Sequence, residues 1–249
     1  MARRPSFTDD YYERRNIKPK RSRDKSKNVT KLDSFDLIDF FPKTENQENM
    51  FVDFHNGENI LAIGSAGTGK TVCALYLALQ KLITNGINKV IIVRSATPGR
   101  QQGFLPGSLA EKEEIYTQPY KQLVNFLFHN DIAWEVLVKK GFIEFVSTSY
   151  IRGITFDNAV IVFDEIQNAD FSEITSLLTR LGESCRIILC GDIRQNDLSR
   201  RREVSGFNDA LKLIKHVPDC FSTIEFTRDD IVRSEFVKKI IIALEDLGM

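Results

Sequence analysis

Gly64-Ser65-Ala66-Gly67-Thr68-Gly69-Lys70-Thr71 is the stretch on which the fold turns. It matches G-x-x-x-x-G-K-[ST], a pattern whose glycines let backbone N–H groups close around phosphate oxygens. A β-branched run, Ile60–Ile63, precedes it, and an amphipathic stretch from Lys70 to Thr84 follows. Strand, glycine-rich loop and helix N-terminus in that order make an anion site, because the helix dipole adds positive potential where the loop amides already point. Residues Gly64 to Thr71 are therefore expected to bind the phosphates of a nucleoside triphosphate. Lys70 would reach the β- and γ-phosphates, and the Thr71 hydroxyl would help to hold Mg²⁺.

Outward from this loop, short apolar runs alternate with longer amphipathic stretches, the pattern of a parallel sheet flanked by helices in an α/β fold. Strands are expected at Ile60–Ile63, Val90–Val93, Ile143–Val146, Val160–Phe163, Ile187–Cys190 and Thr223–Phe226. Helices are expected at Lys70–Thr84, Tyr120–His129, Phe171–Leu181, Phe207–Lys215 and Ile231–Leu247. Pro119 is expected to separate Tyr120–His129 from any helix begun at Glu111. The stretch 96–108, with two prolines and three glycines, reads as a long functional loop.

Val160-Ile161-Val162-Phe163-Asp164-Glu165 is a buried strand ending in two acids. A carboxylate at such a strand end holds the metal in nucleotide-binding α/β folds, so Asp164 is expected to bind Mg²⁺ through water. Glu165 leaves the strand in another direction and is placed to act as general base on the attacking water. Alone, an Asp-Glu pair would more often cap the next helix. After Ile187–Cys190 comes Gly191-Asp192-Ile193-Arg194-Gln195, where Gln195 is a candidate sensor of the γ-phosphate or the water, against a solvated loop glutamine. The segment Asn88-Lys89-Val90-Ile91 lacks the acid with which GTPases read guanine, so ATP is the expected nucleotide.

The net charge of zero hides an asymmetry. Residues 1–33 hold eleven Lys/Arg against five Asp/Glu, a net of +6, which leaves −6 on the rest. Few aliphatic residues there can offset the entropy of ordering, so a mobile basic arm is expected ahead of a domain at 34–249. The arm, the run Arg200-Arg201-Arg202, and Arg94, Arg100 and Arg152 near strand ends are candidates to meet RNA or single-stranded DNA phosphates, though solvated charge is an equal reading. No apolar run is long enough to span a membrane and no signal peptide is legible, so a cytoplasmic protein is expected. The four cysteines lack metal or redox spacing and read as reduced and structural, with Cys73 and Cys190 placed as small core residues.

Together these residues resemble the PhoH family of P-loop ATPases, relatives of the first motor domain of superfamily 1 helicases. The resemblance runs from about Pro42 to Leu244 and rests, besides the phosphate loop, on Lys43-Thr44 with Gln47, Val93-Arg94, Gly103-Phe104-Leu105-Pro106-Gly107 and Tyr150-Ile151-Arg152-Gly153. It continues through Asp164-Glu165-Ile166-Gln167-Asn168, Leu178-Thr179-Arg180, Gly191-Asp192 with Gln195, Asp197-Leu198 and Asp230-Ile231-Val232-Arg233. It implies a RecA-like sheet, Mg²⁺-dependent ATP hydrolysis, adenine read by Gln47, and Arg233 approaching the γ-phosphate. A ring-like homo-oligomer, a hexamer, is expected by the same resemblance, with Arg180 donated in trans against a reading as a helix-end arginine. Ser65 and Ile166 stand where the family commonly has proline and alanine. The compact length resembles the bacteriophage-borne branch. Movement on, or remodelling of, nucleic acid is the leading expectation for function, with a small-molecule phosphotransferase or a nucleotide-dependent scaffold as rivals.

Overall fold

The computed structural model describes residues 36–95, 109–151, 153–192 and 206–247. The arm at 1–33, the loop at 96–108 with Arg100, and Arg152, Gln195, Asp197, Leu198 and the arginines at 200–202 lie outside the described residues. Among those described, six strands form one sheet: β1 (Asn59–Gly64), β2 (Lys89–Arg94), β3 (Ile143–Ser147), β4 (Ala159–Asp164), β5 (Arg186–Gly191) and β6 (Phe221–Phe226). The order is β3-β2-β4-β5-β1-β6 and every pairing is parallel, with Ile60 beside Ile188, Val160 beside Arg186, and Val90 beside Val160. The helices are α1 (Glu45–Asn56), α2 (Lys70–Ile83), α3 (Leu109–Leu127), α4 (Ala133–Lys139), α5 (Phe171–Leu178), α6 (Phe207–Lys215) and α7 (Glu235–Asp246).

Period-two alternation along the strands feeds two cores. Ile60, Ala62, Val90, Ile92, Val160, Val162 and Ile188 face a cluster completed by Met50, Phe54, Leu75, Leu79 and Val124 from α1, α2 and α3. Leu61, Ile63, Ile91, Ile161, Phe163, Ile187 and Leu189 face the other side, against Ile174 and Leu177 of α5 and Phe207, Ala210 and Ile214 of α6. Each such fully buried aliphatic side chain contributes about 1.5–3 kcal/mol, which is why strands covered on both faces read as unbroken apolar runs.

All six expected strands are present, each a residue or two longer than its apolar run. The expected break at Pro119 is absent: α3 runs through it as one helix from Leu109 to Leu127. Proline removes one internal hydrogen bond, but Tyr120, Val124 and Leu127 are all buried on one face, and that packing outweighs the loss. α7 begins at Glu235 rather than Ile231, because Thr227 caps a short 3₁₀ turn at Arg228–Asp230 and Ser234 caps the helix itself. Two helices, α1 and α4, are additions to the expected set.

β1 ends against the backbone of β6. Gly64 has φ +134°, and a Cβ there would sit 1.9 Å from the carbonyl oxygen of Phe226. Gly57, closing α1 with φ +106°, has nothing within 4 Å of such a Cβ. Gly64→Ala should therefore cost about 3 kcal/mol or more from collision plus strain, and Gly57→Ala only about 1 kcal/mol from strain. Urea unfolding midpoints of the two variants check this; equal losses would mean that the β1–β6 approach is not the constraint.

Candidate active site

The phosphate loop hangs between the end of β1 and the start of α2. Ser65 N–H donates to Phe226 O at 3.4 Å, and the Thr68 hydroxyl donates to Ser65 O at 2.9 Å. Gly67 and Gly69 take φ of +75° and +87°, which a side chain would oppose. Gly69 is the N-cap of α2 and has no side chain to cap it, so the helix's first N–H groups face the cleft. Lys70 Nζ donates to Gly64 O at 2.9 Å, Ser65 O at 2.7 Å and Thr68 Oγ1 at 3.3 Å. Burial pushes its pKa down, while Asp192, Cys190, Glu165 and Asp164 oppose that shift.

Across β5, which separates β1 from β4, stand the two carboxylates. Asp164 is buried, 6% exposed, and accepts from the Thr71 hydroxyl on Oδ1 and the Tyr120 hydroxyl on Oδ2, both at 2.9 Å. Burial raises its pKa, and the hydrogen bonds from Thr71 and Tyr120 and the charge of Arg94 act against that. Glu165 is held in the left-handed region, φ 55° and ψ 41°, an uncommon conformation that turns its side chain off the strand's course. Its Oε2 accepts from Gln167 Nε2 at 2.6 Å, and Gln167 Oε1 accepts from Asp192 N–H at 3.0 Å. Burial, and then the neighbouring Asp164, raise the Glu165 pKa.

Among the described residues no group of three or more His, Cys, Asp or Glu side chains could hold a metal by itself. The donors of Thr71 and Asp164 are nevertheless hard oxygens already in mutual contact, and Mg²⁺ is commonly held by one or two protein oxygens with phosphates and water completing the shell. The residues present fit that ion.

A cleft of about 710 Å³ joins these groups. Ala66, Gly67, Gly69, Lys70, Thr71, Asp164, Glu165, Gln167 and Asp192 line one part, and Ile38, Phe41, Pro42, Leu123 and Phe126 form an apolar wall. Arg233 lies on the phosphate loop, its Cγ 3.0 Å from where a Cβ on Gly67 would be, and Val232 N–H donates to Gly67 O at 3.1 Å. Gln47 also lines the cleft, but its amide is engaged within the chain: Oε1 accepts from Lys43 N–H and Nε2 donates to Thr68 O, both at 2.8 Å. One N–H and one lone pair of that amide remain.

Arg180 and Arg94 do not line the cleft. The Arg180 guanidinium donates to Ser176 O at 2.6 Å, covering the C-terminal carbonyls of its own helix α5. Arg94, a candidate near a strand end to meet nucleic-acid phosphates, turns inward. It lies 5.8 Å over the ring of Tyr116, and although burial disfavours its charge, the nearby Tyr120, Glu165 and Asp164 raise its pKa. Tyr120 and Gln167 have no role in the sequence-based expectations. Gln167 is visible as part of the run Asp164–Asn168, whereas nothing near Tyr120 in the chain points to Asp164. The cysteines are all free, and burial pushes Cys73 up to about 12.

A family model described as PhoH-like protein matches residues 39–245. The PhoH-like protein of Mycobacterium leprae is 35% identical over 215 residues, covering 84% of this chain and 60% of that protein. The PhoH-like protein of Bacillus subtilis is 36% identical over 204 residues, covering 82% and 63%, and Protein PhoH of Escherichia coli is 33% identical over 213 residues, covering 85% and 60%. The chain thus spans about three fifths of the length of these relatives. Solved structures that align with this chain include the Pif1 helicase of Candida albicans, with a TM-score of 0.44 at 19% identity over 84% of this chain and 44% of that one. The large terminase of a thermophilic bacteriophage, in complex with ADP, gives 0.49 at 13% identity, over 79% and 48%.

Because Gln47 is 1% exposed and bridges α1 to the phosphate loop, its loss would orphan Lys43 N–H and Thr68 C=O. Gln47→Ala should destabilise the nucleotide-free protein by about 3 kcal/mol, measured by denaturant unfolding. A side chain serving the base alone would leave the nucleotide-free stability unchanged.

Proposed function

The chain belongs to the PhoH-like protein family, and on that premise we propose that it is a Mg²⁺-dependent ATPase whose turnover is coupled to RNA or single-stranded DNA. The observation that carries the proposal is the convergence of Lys70, the Thr71–Asp164 pair and Glu165 on one cleft. Lys70 would exchange its carbonyl partners for β- and γ-phosphate oxygens, with the loop amides donating alongside. Thr71 and Asp164 would hold Mg²⁺, which supplies charge neutralisation across the β- and γ-oxygens. Glu165, whose pKa burial and the neighbouring Asp164 raise, would take the proton of the attacking water. Gln167, tying Glu165 to the Asp192 backbone, would hold that carboxylate in place.

Further roles in this reading carry less geometry. Arg233 would put a second cation on the γ-phosphate, Gln195 would sense it, and the free half of the Gln47 amide would meet the adenine edge beside the apolar wall. The basic arm and the arginines at 200–202 would supply nucleic-acid phosphate contacts. A hexameric ring would let Arg180 of one subunit exchange its helix-end contact for the γ-phosphate of a neighbour's site.

Lys70→Ala should abolish nucleotide binding, whereas Glu165→Gln should keep binding and lower turnover by about 10²–10⁴. Wild-type turnover should decline on the acid side at a pH above the ordinary carboxylate range, since the raised pKa of Glu165 leaves the base protonated there. Near-normal hydrolysis by Glu165→Gln, read as phosphate release, rules the base assignment out; phosphorylation of a metabolite instead of strand-stimulated hydrolysis would replace the motor with a kinase.

Deleting residues 1–33 should flatten the dependence of nucleic-acid affinity on salt while basal hydrolysis persists, because each Lys or Arg that neutralises a phosphate releases a counterion. An unchanged slope makes the arm a bystander. Mixing Arg180→Ala with Lys70→Ala subunits should restore part of the activity. A mixture that assembles and stays inactive, or an active monomer by light scattering, removes the trans arginine.

A further inference from the structure

Asp164 is the carboxylate on which the metal reading rests, and its two oxygens are held from different directions. Oδ1 accepts from Thr71, inside the phosphate-loop helix. Oδ2 accepts from Tyr120, which projects from the middle of α3 and is 1% exposed. The Tyr120 ring packs near Phe145 of β3, with centroids 5.9 Å apart, a contact that phenylalanine would make equally well. The hydroxyl does something the ring does not: it delivers a proton donor to a buried anion. Arg94, at the end of β2, stands behind it, its charge acting on Tyr120 and on the same carboxylates. A guanidinium cation beside the phenol polarises the O–H that points at Asp164, so its charge favours donation in that direction.

We infer that Tyr120, backed by Arg94, is a positioning residue for Mg²⁺, its hydroxyl fixing the plane of the Asp164 carboxylate so that Oδ1 stays beside the Thr71 hydroxyl. The inference rests on the Mg²⁺–ATP reading above. A carboxylate gripped on one oxygen alone turns about its Cβ–Cγ bond. One gripped on both keeps its remaining lone pairs aimed in fixed directions. Hydrogen-bonding partners behind a metal ligand are worth about 10–100-fold in metal affinity where they have been removed. Tyr120 contributes here through Asp164, not by touching the nucleotide.

The test is binding of a fluorescent ATP analogue to the full chain, titrated with Mg²⁺. Tyr120→Phe should raise the half-saturating Mg²⁺ concentration about tenfold or more, leave nucleotide affinity in the presence of a chelator unchanged, and keep a cooperative melt. Arg94→Gln should shift the Mg²⁺ midpoint in the same direction by a smaller factor, and supplies the same reading should Tyr120→Phe fold poorly. In an Asp164→Asn background Tyr120→Phe should change nucleotide affinity at fixed Mg²⁺ by less than about twofold, since the two side chains act as one unit. A wild-type midpoint in Tyr120→Phe overturns this inference alone, as does a full-sized effect that persists in Asp164→Asn. Wild-type protein whose nucleotide affinity ignores Mg²⁺ overturns the metal reading and this inference together.

Discussion

An ionised carboxylate taken out of water must be given donors, and at the end of β4 that requirement organises the carboxyl edge of the whole sheet. Asp164 is buried, and its donors come from α2 and α3, with the Arg94 cation supplied from β2. β5 lies between β1 and β4, so Thr71 reaches Asp164 only if the phosphate loop arches over the end of β5, past Gly191. Gly191 is itself closely covered from the β4 side: a Cβ there would come within 2.6 Å of Ile166 and 3.1 Å of Phe207. The electrostatic need of one side chain thus bears on the placement of β4, α2, α3 and β2, and the first three of these line the cleft.

The phosphate loop is also held from outside its own strand–helix unit. Gln47 of α1 grips Thr68, and Asn46 donates to Glu225 O at 3.1 Å and to Asp230 Oδ2 at 2.8 Å. Burial would raise the Asp230 pKa, but donors from Thr227, Thr44 and Asn46 hold it low, and the turn it closes leads directly to Val232 and Arg233 on the loop. Donors fixed before a ligand arrives need no reorganisation when charge develops, which is the physical basis of electrostatic preorganisation.

What can be read from the sequence is what is local. Eight consecutive residues make the phosphate loop, and runs such as Val160–Phe163 declare a strand buried on both faces, so Lys70, Thr71, Asp164 and Glu165 are identifiable without coordinates. The signals of α1 are local too, though only the structure draws them together: Thr44 caps it, Gly57 closes it, and Gln47, Met50, Phe51 and Phe54 fall at helical spacing on its buried face. Pro119 misleads because a local rule is set against burial that only the folded chain reveals. Tyr120 meeting Asp164 joins positions 44 residues apart, and Arg94 turning inward depends on Tyr116 and Tyr120 together. No periodicity encodes either.

α7 lies on the phosphate loop with none of its residues buried. Ile241 packs over Gly67, and Arg228 pairs with Glu245 and Asp246 at 2.5 and 2.6 Å, while Phe236, Ile240, Leu244 and Leu247 face outward. A helix attached by so little apolar contact, and by ion pairs that salt screens, opens at far lower free energy than the sheet beneath it. Its amides should be among the first to exchange deuterium, on a timescale set by local fraying, so that the protection of the helix against isotope exchange is a gauge of how firmly the loop below it is clasped.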